Sequence, residues 1–225
     1  MSAARCSLGR LNEVRVSSTP PISIDIPPVL CGEWTLVRPF TERDAAAFWD
    51  ALEESREHLD PWLPWVERVR GIEDTRADLA RMHARWIARE DLAVGIFDRA
   101  TGRLLGGSGL HRINWRLRLF EVGYWIRPSA AGRGYVTEAV QLLVRLAFDR
   151  LEANRVEIRM DPRNLRSRRI PERLGFVFEG TLRRSAPDRD GTASDRHVFA
   201  LVREDYAGLP WATAAAGGRQ RPPRR

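Results

Sequence analysis

Residues Glu121–Ala139 read EVGYWIRPSAAGRGYVTEA. A strand pattern ends at Ile126, Pro128 blocks its extension, and a loop holding Gly132 and Gly134 runs straight into an amphipathic helix. Glycines at such a turn allow positive φ and the close approach of a ligand. The free N–H groups of the first helical turn face the loop and, with the helix dipole, form an anion site. A pyrophosphate fits there on backbone donors alone, each charge-assisted hydrogen bond contributing about 1.5–3 kcal/mol. A tight strand-to-helix turn without a ligand would carry the same glycines. Two common nucleotide motifs are excluded: there is no GxxxxGK[ST], and GxGxxG fails after Gly134.

Other residues with chemical capacity are spread along the chain. Asn164-x-x-Ser167 stands where a short helix begins, and Asn164 suits its N-cap. Asp195 and His197 alternate onto one face of a strand. Trp62 and Trp65 lie in the loop HLDPWLPW, suited either to line a pocket or to pack against the first helices. The two cysteines, Cys6 and Cys31, form no CxxC or Cys/His cluster. They offer no metal site, and neither sits in a motif that would carry an acyl intermediate.

These groups need elements to position them. Strands are expected at 33–39, 92–98, 103–113, 117–127, 155–160, 176–183 and 195–202, and helices from 45 past Leu52, at 72–90, 134–151 and 164–174. Thr41-x-x-Asp44 resembles a capping box for the first helix. Val136, Ala139, Val140, Leu143, Val144, Ala147 and Phe148 stripe one face of the third. Pro171 falls inside the fourth, which predicts a bend or a helix beginning nearer Ser167. The loop SAPDRDGTAS joins the last two strands. The order implies an α/β (α+β) fold with helices on both faces of a central sheet.

The 225 residues suit one substantial core, with 43% hydrophobic and 30% charged residues. Residues 1–32 are expected as a poorly ordered, proline-rich lead-in, 33–210 as the folded domain and 211–225 as a flexible basic tail. The sequence shows no membrane-length apolar run and no signal-like opening, so the cytoplasm is the expected compartment. Every basic residue is arginine and the net charge is +7, which favours phosphate-bearing ligands and acidic partners.

Taken together, Ala131-Gly132-Arg133-Gly134-Tyr135-Val136 followed by Thr137-Glu-Ala resembles the pyrophosphate loop of the GCN5-related N-acetyltransferase (GNAT) superfamily, of the bacterial RimJ/RimL type. Its first residue is Ala131 where that family has Gln or Arg, and Val136 is larger than usual. Asn164-x-x-Ser167 through Glu172-x-Leu174-Gly175-Phe176 resembles a second family block. HLDPWLPW, LVRPF and ALVREDY add further matches.

The resemblance implies a mixed, mostly antiparallel twisted sheet with splayed central strands, and acetyl-CoA as co-substrate with no metal. It implies direct transfer to an amine in a ternary complex. The pantetheine arm would bond near Ile126, and a backbone N–H of that strand would hold the thioester oxygen. Ala131–Thr137 would bind the pyrophosphate, Asn164 the pantetheine or sulfur, and Arg168 a CoA phosphate. Ser167 would give the departing thiolate its proton. Glu121 is the first choice of base, with Asp195 and His197 as rivals, and Trp62 and Trp65 would line the acceptor pocket. The acceptor implied is a protein N-terminus of the ribosomal-protein type, or else a small amine. A homodimer is a family expectation. A non-catalytic acyl-CoA sensor and a ribosome- or RNA-associated module are the readings from other classes.

Overall fold

The computed structural model describes residues 23–188 and 190–212. Eight strands form one sheet: β1 (Leu30–Cys31), β2 (Thr35–Pro39), β3 (Leu92–Asp98), β4 (Leu104–Asn114), β5 (Leu119–Ile126), β6 (Arg155–Met160), β7 (Val177–Pro187) and β8 (Ala193–Val202). Their order is β1-β2-β3-β4-β5-β6-β8-β7, and every neighbouring pair is antiparallel except β5–β6. The helices are α1 (Ala45–Leu59), α2 (Ile72–Ile87), α3 (Tyr135–Arg145), α4 (Leu165–Leu174) and α5 (Arg203–Ala207).

Side-chain alternation splits the core across the sheet. Phe97, Leu104 and Trp125 pack with Phe48, Leu52 and Leu79 of α1 and α2 on one face. Ile96, Leu105, Leu110, Phe120 and Val122 pack with Ala139, Val140 and Leu143 of α3 on the other. The sheet is splayed at its centre. β5 and β6 pair only at Leu119–Arg155, Phe120–Val156 and Glu121–Glu157, after which β5 continues to Ile126 beside β4 alone.

Several expectations hold in detail. The Thr41 N–H donates to Asp44 Oδ2 at 2.9 Å, and a short 3-10 turn leads into α1. Others need correction. The last hairpin is longer than its loop suggested, because its strands run to Pro187 and from Ala193. The third helix changes to a π turn over Leu146–Arg150. The folded body also takes in more chain than 33–210. Ile26 is in the core, β1 pairs with β2, and Trp211 is buried with its indole N–H donating to the Leu174 carbonyl at 3.2 Å. Cys6 and residues 213–225 lie outside the described residues.

Pro171 neither delays α4 to Ser167 nor ends it; the helix starts at Leu165 and continues through the proline to Leu174. Proline lacks the N–H that would bond the Ser167 carbonyl four residues earlier. Tyr124 of β5 replaces it: its hydroxyl donates to the Ser167 carbonyl at 2.8 Å. Among the described residues no helix is long and apolar enough to cross a membrane.

Candidate active site

The glycine turn has the geometry its sequence required. Gly132 (φ +76°) and Gly134 (φ +86°) both lie in the left-handed region, and a Cβ at Gly132 would meet nothing within 4 Å. The first helical backbone bond of α3 is Glu138 N–H to the Gly134 carbonyl at 3.0 Å. The amides of Val136 and Thr137 therefore precede the hydrogen-bonded turns. Open space over a glycine and a bare helix end fit a CoA pyrophosphate. Ala131 and Arg133 are exposed at the turn. Tyr135 turns its side chain away, burying it and donating its hydroxyl to Asp98 at 3.0 Å, so only its backbone can serve a ligand there.

Two further contacts brace the turn. Glu138 accepts the N–H groups of Glu33 (2.6 Å), Trp34 (3.1 Å) and Thr35 (2.8 Å), clamping the start of β2 to α3. Arg127, 3% exposed, pairs with Glu54 at 2.7 Å and Asp50 at 2.6 Å, joining the end of β5 to α1. Glu54 also accepts the Ser129 N–H at 2.8 Å.

The splay turns backbone into a binding surface. The Arg127 N–H bonds the Leu105 carbonyl at 2.8 Å, so the alternation of antiparallel bonds points Trp125 and Gly123 toward β4. Tyr124 and Ile126 then turn their N–H and C=O groups to the side that β6 vacates, where the Ile126 C=O meets the His58 ring. Such an edge suits a pantetheine amide chain and a thioester oxygen.

Asn164 and Ser167 stand on the α3 side of the gap. Asn164 caps α4, its Oδ1 accepting the Ser167 N–H at 3.0 Å. Ser167 Oγ donates to the Tyr124 hydroxyl at 3.1 Å. Burial drives the Tyr124 phenol well above its ordinary range, partly countered by Ser167, so it acts as a neutral hydroxyl. Arg168 is spent on Glu172, 2.7 Å away. Thr137 Oγ1 accepts a long 3.4 Å bond from Arg173.

On the α1–α2 face, Glu121 stands opposite His111 in the β4–β5 register. Its Oε2 is buried without a hydrogen bond, 3.5 Å from Arg112 Nε and 3.5 Å from Arg159 Nε. Burial raises its pKa; Arg112 and Arg159 oppose that rise, and Glu157 adds to it. His111 was not singled out by its sequence context. Its Nδ1 is 3.0 Å from each Asp91 carboxylate oxygen. His111 lines a cavity of about 250 Å³ with Phe40, Phe48, Trp65, Trp125 and Tyr124.

The remaining candidates separate. Trp65 lines that cavity and also packs against Phe48 and Trp125, both with centroids 6.4 Å away. Trp62 lies outside its wall, under Arg163 at 6.0 Å. Asp195 and His197 have partners on β7: Asp195 accepts the Arg184 N–H at 2.9 Å, and His197 Nδ1 is 2.9 Å from Thr181 Oγ1. β6 stands between their strand and Glu121. His58, at the end of α1, is held below its ordinary pKa by burial and by Arg166.

The comparisons agree with this geometry. Residues 35–177 match the family model described as "Acetyltransferase (GNAT) domain". The chain is 30% identical to the "Probable N-acetyltransferase YjcK" of Bacillus subtilis over 179 residues, covering 79% of this chain and 98% of that protein. It is 26% identical to the "Ribosomal-protein-serine acetyltransferase" of Escherichia coli over 147 residues, covering 64% and 79%. The solved structure of Mycobacterium smegmatis RimJ in complex with CoA-disulfide superposes with a TM-score of 0.73 at 24% identity, covering 85% and 93%. The protein is an acetyltransferase, and the chain belongs to the GNAT family.

Proposed function

We propose that the protein transfers the acetyl group of acetyl-CoA directly to a primary amine, with a protein N-terminus of the ribosomal-protein type as acceptor. The observation that carries this is the end of β5–β6 pairing at Glu121, beyond which Gly123, Tyr124 and Trp125 of β5 line the aromatic cavity. The donor enters along the unpaired edge of β5, its pyrophosphate on the amides of 132–137. The amine enters from the α1–α2 side. A neutral nitrogen forms the new C–N bond, the C–S bond breaks, and the second nitrogen proton reaches the thiolate. Ser167 lies where it can carry that proton, with Asn164 fixing the helix end from which it acts. Glu121 supplies negative charge at the amine entrance.

The name of the Escherichia coli relative supports a ribosomal acceptor. A small apolar amine is the second reading, supported by the aromatic lining of the cavity. The test is incubation with acetyl-CoA and an extract of ribosomal proteins, following CoA release and acetylated peptides by mass spectrometry. A 42 Da increase, about one acetyl group, at one protein N-terminus is the expected result. Turnover only with added small amines would select the second reading, and no turnover with any amine would sink both.

A further inference from the structure

The acceptor nitrogen arrives largely as an ammonium. A lysine-like amine with pKa about 10.4 costs roughly 4–5 kcal/mol to deprotonate at pH 7, and an α-amine about 1. Glu121 is poorly arranged to take that proton, since guanidinium groups stand 3.5 Å from its buried Oε2 on two sides. Its neighbour across the ladder is better placed. Asp91 offers only acceptors to His111 Nδ1, which must therefore carry the ring proton and leave Nε2 as a free lone pair. The glycines fix where Nε2 lies. A Cβ at Gly109 would stand 2.8 Å from it, and one at Gly123 would stand 3.4 Å away. The ring therefore lies flat over two residues that have no side chain, beside the strand whose inner edge faces the gap. Among the described residues Nε2 has no hydrogen-bond partner, and the His111 side chain is 31% exposed, into the cavity.

We propose that the His111–Asp91 pair is the proton acceptor for the amine, with Nε2 as the accepting atom. This deepens the transferase reading and rests on it. An N–H bond of the ammonium breaks, its electron pair stays on nitrogen for attack on the thioester carbon, and the proton moves to Nε2. The imidazolium so formed is stabilised by Asp91 and passes its proton to solvent. The charged groups that face the ring are Asp91, held at 3.6 Å by Arg85 of α2, and Glu121 of β5 with Arg112 and Arg159 beside it. Glu121 then acts on the ring electrostatically and is not itself protonated in the step.

Two measurements on the full chain test this. The first needs no acceptor: nitrogen-15 NMR of the His111 ring. A protonated Nδ1 and bare Nε2 in the neutral form is expected. A ring protonated at Nε2 would overturn the proposal. The second is kcat/KM against pH for a peptide with free N-terminal serine and for methoxyamine, with wild type and His111→Gln. The peptide reaction should fall up to about tenfold at pH 7 in the variant, since roughly a tenth of an α-amine is neutral there without help. That loss should shrink as pH passes the amine pKa, and it should be nearly absent for methoxyamine, a weakly basic amine that is already unprotonated at about pH 7. An equal loss for both nucleophiles at all pH values, with unchanged acetyl-CoA affinity, would mark His111 as structural. A wild type inactive toward every amine would instead remove the transferase reading beneath it, whatever the NMR shows.

Discussion

Burial makes Glu121 expensive as an anion, and that fixes how its replacement should behave. Its folded pKa is raised, so ionisation at neutral pH lowers stability relative to acid. Glu121→Gln should leave the unfolding midpoint unchanged or higher, because Arg159 keeps Glu157 at 2.7 Å. The same change should lower kcat/KM by about tenfold, the size of one lost charge contact of 1.4 kcal/mol. Asp44 has the opposite sign. Burial raises it, but the Arg38 guanidinium, at 2.7 and 2.8 Å, and the Thr41 N–H together outweigh burial and lower it. Its stabilisation is present above the ordinary carboxylate pKa and lost as pH falls through the lower folded value. Asp44→Asn should cost about 1–3 kcal/mol in urea unfolding at pH 7, and the two proteins should converge as pH falls through the lowered folded value. Glu121 could be singled out in the sequence because it sits in a motif. His111 could not: its partner is twenty residues away, and only the β3–β4 pairing brings Asp91 beneath it.

Among the elements, α4 is where a local rule was read correctly and its outcome was not. Pro171 does remove a helical hydrogen bond. What its sequence could not reveal is that Tyr124, on a strand 43 residues earlier, donates to the carbonyl left over. A double-mutant cycle isolates this. Tyr124→Phe should cost about 1–2 kcal/mol in the Pro171 background, where the Ser167 carbonyl loses its donor. In Pro171→Ala the helix supplies that donor, and the same change should cost much less. Equal losses in the two backgrounds would disprove the replacement. The strands and α1–α3 were legible because their apolar spacing is long and regular. The hairpin ends were not, since Arg183–Pro187 has no apolar alternation and its ladder with β8 breaks after Leu182, resuming only at Ala186–Ser194 and Pro187–Ala193.

Across the whole molecule, the two halves of the site are fastened through a single cation. Arg127 leaves β5 at the glycine turn and reaches α1 on the acceptor side, also donating to the Leu104 carbonyl at 3.2 Å. Arg127→Met should lower stability by about 2–3 kcal/mol, the value of hydrogen bonds to charged groups. It should also weaken acetyl-CoA and acceptor binding together, measured by calorimetry; loss of only one would show that the halves are independent. The splay has a broader consequence. A sheet normally has two rims, and this one has a third, inside, where β5 runs on past Glu121 without β6 beside it. Under the proposed function a polyamide arm laid there would complete the sheet as an added strand would, making the co-substrate part of the scaffold. Saturation at about 100 times Kd would add about 2.7 kcal/mol to folding. The protein's lifetime should therefore track the supply of acetyl-CoA, falling when the donor is scarce and there is least work for it to do.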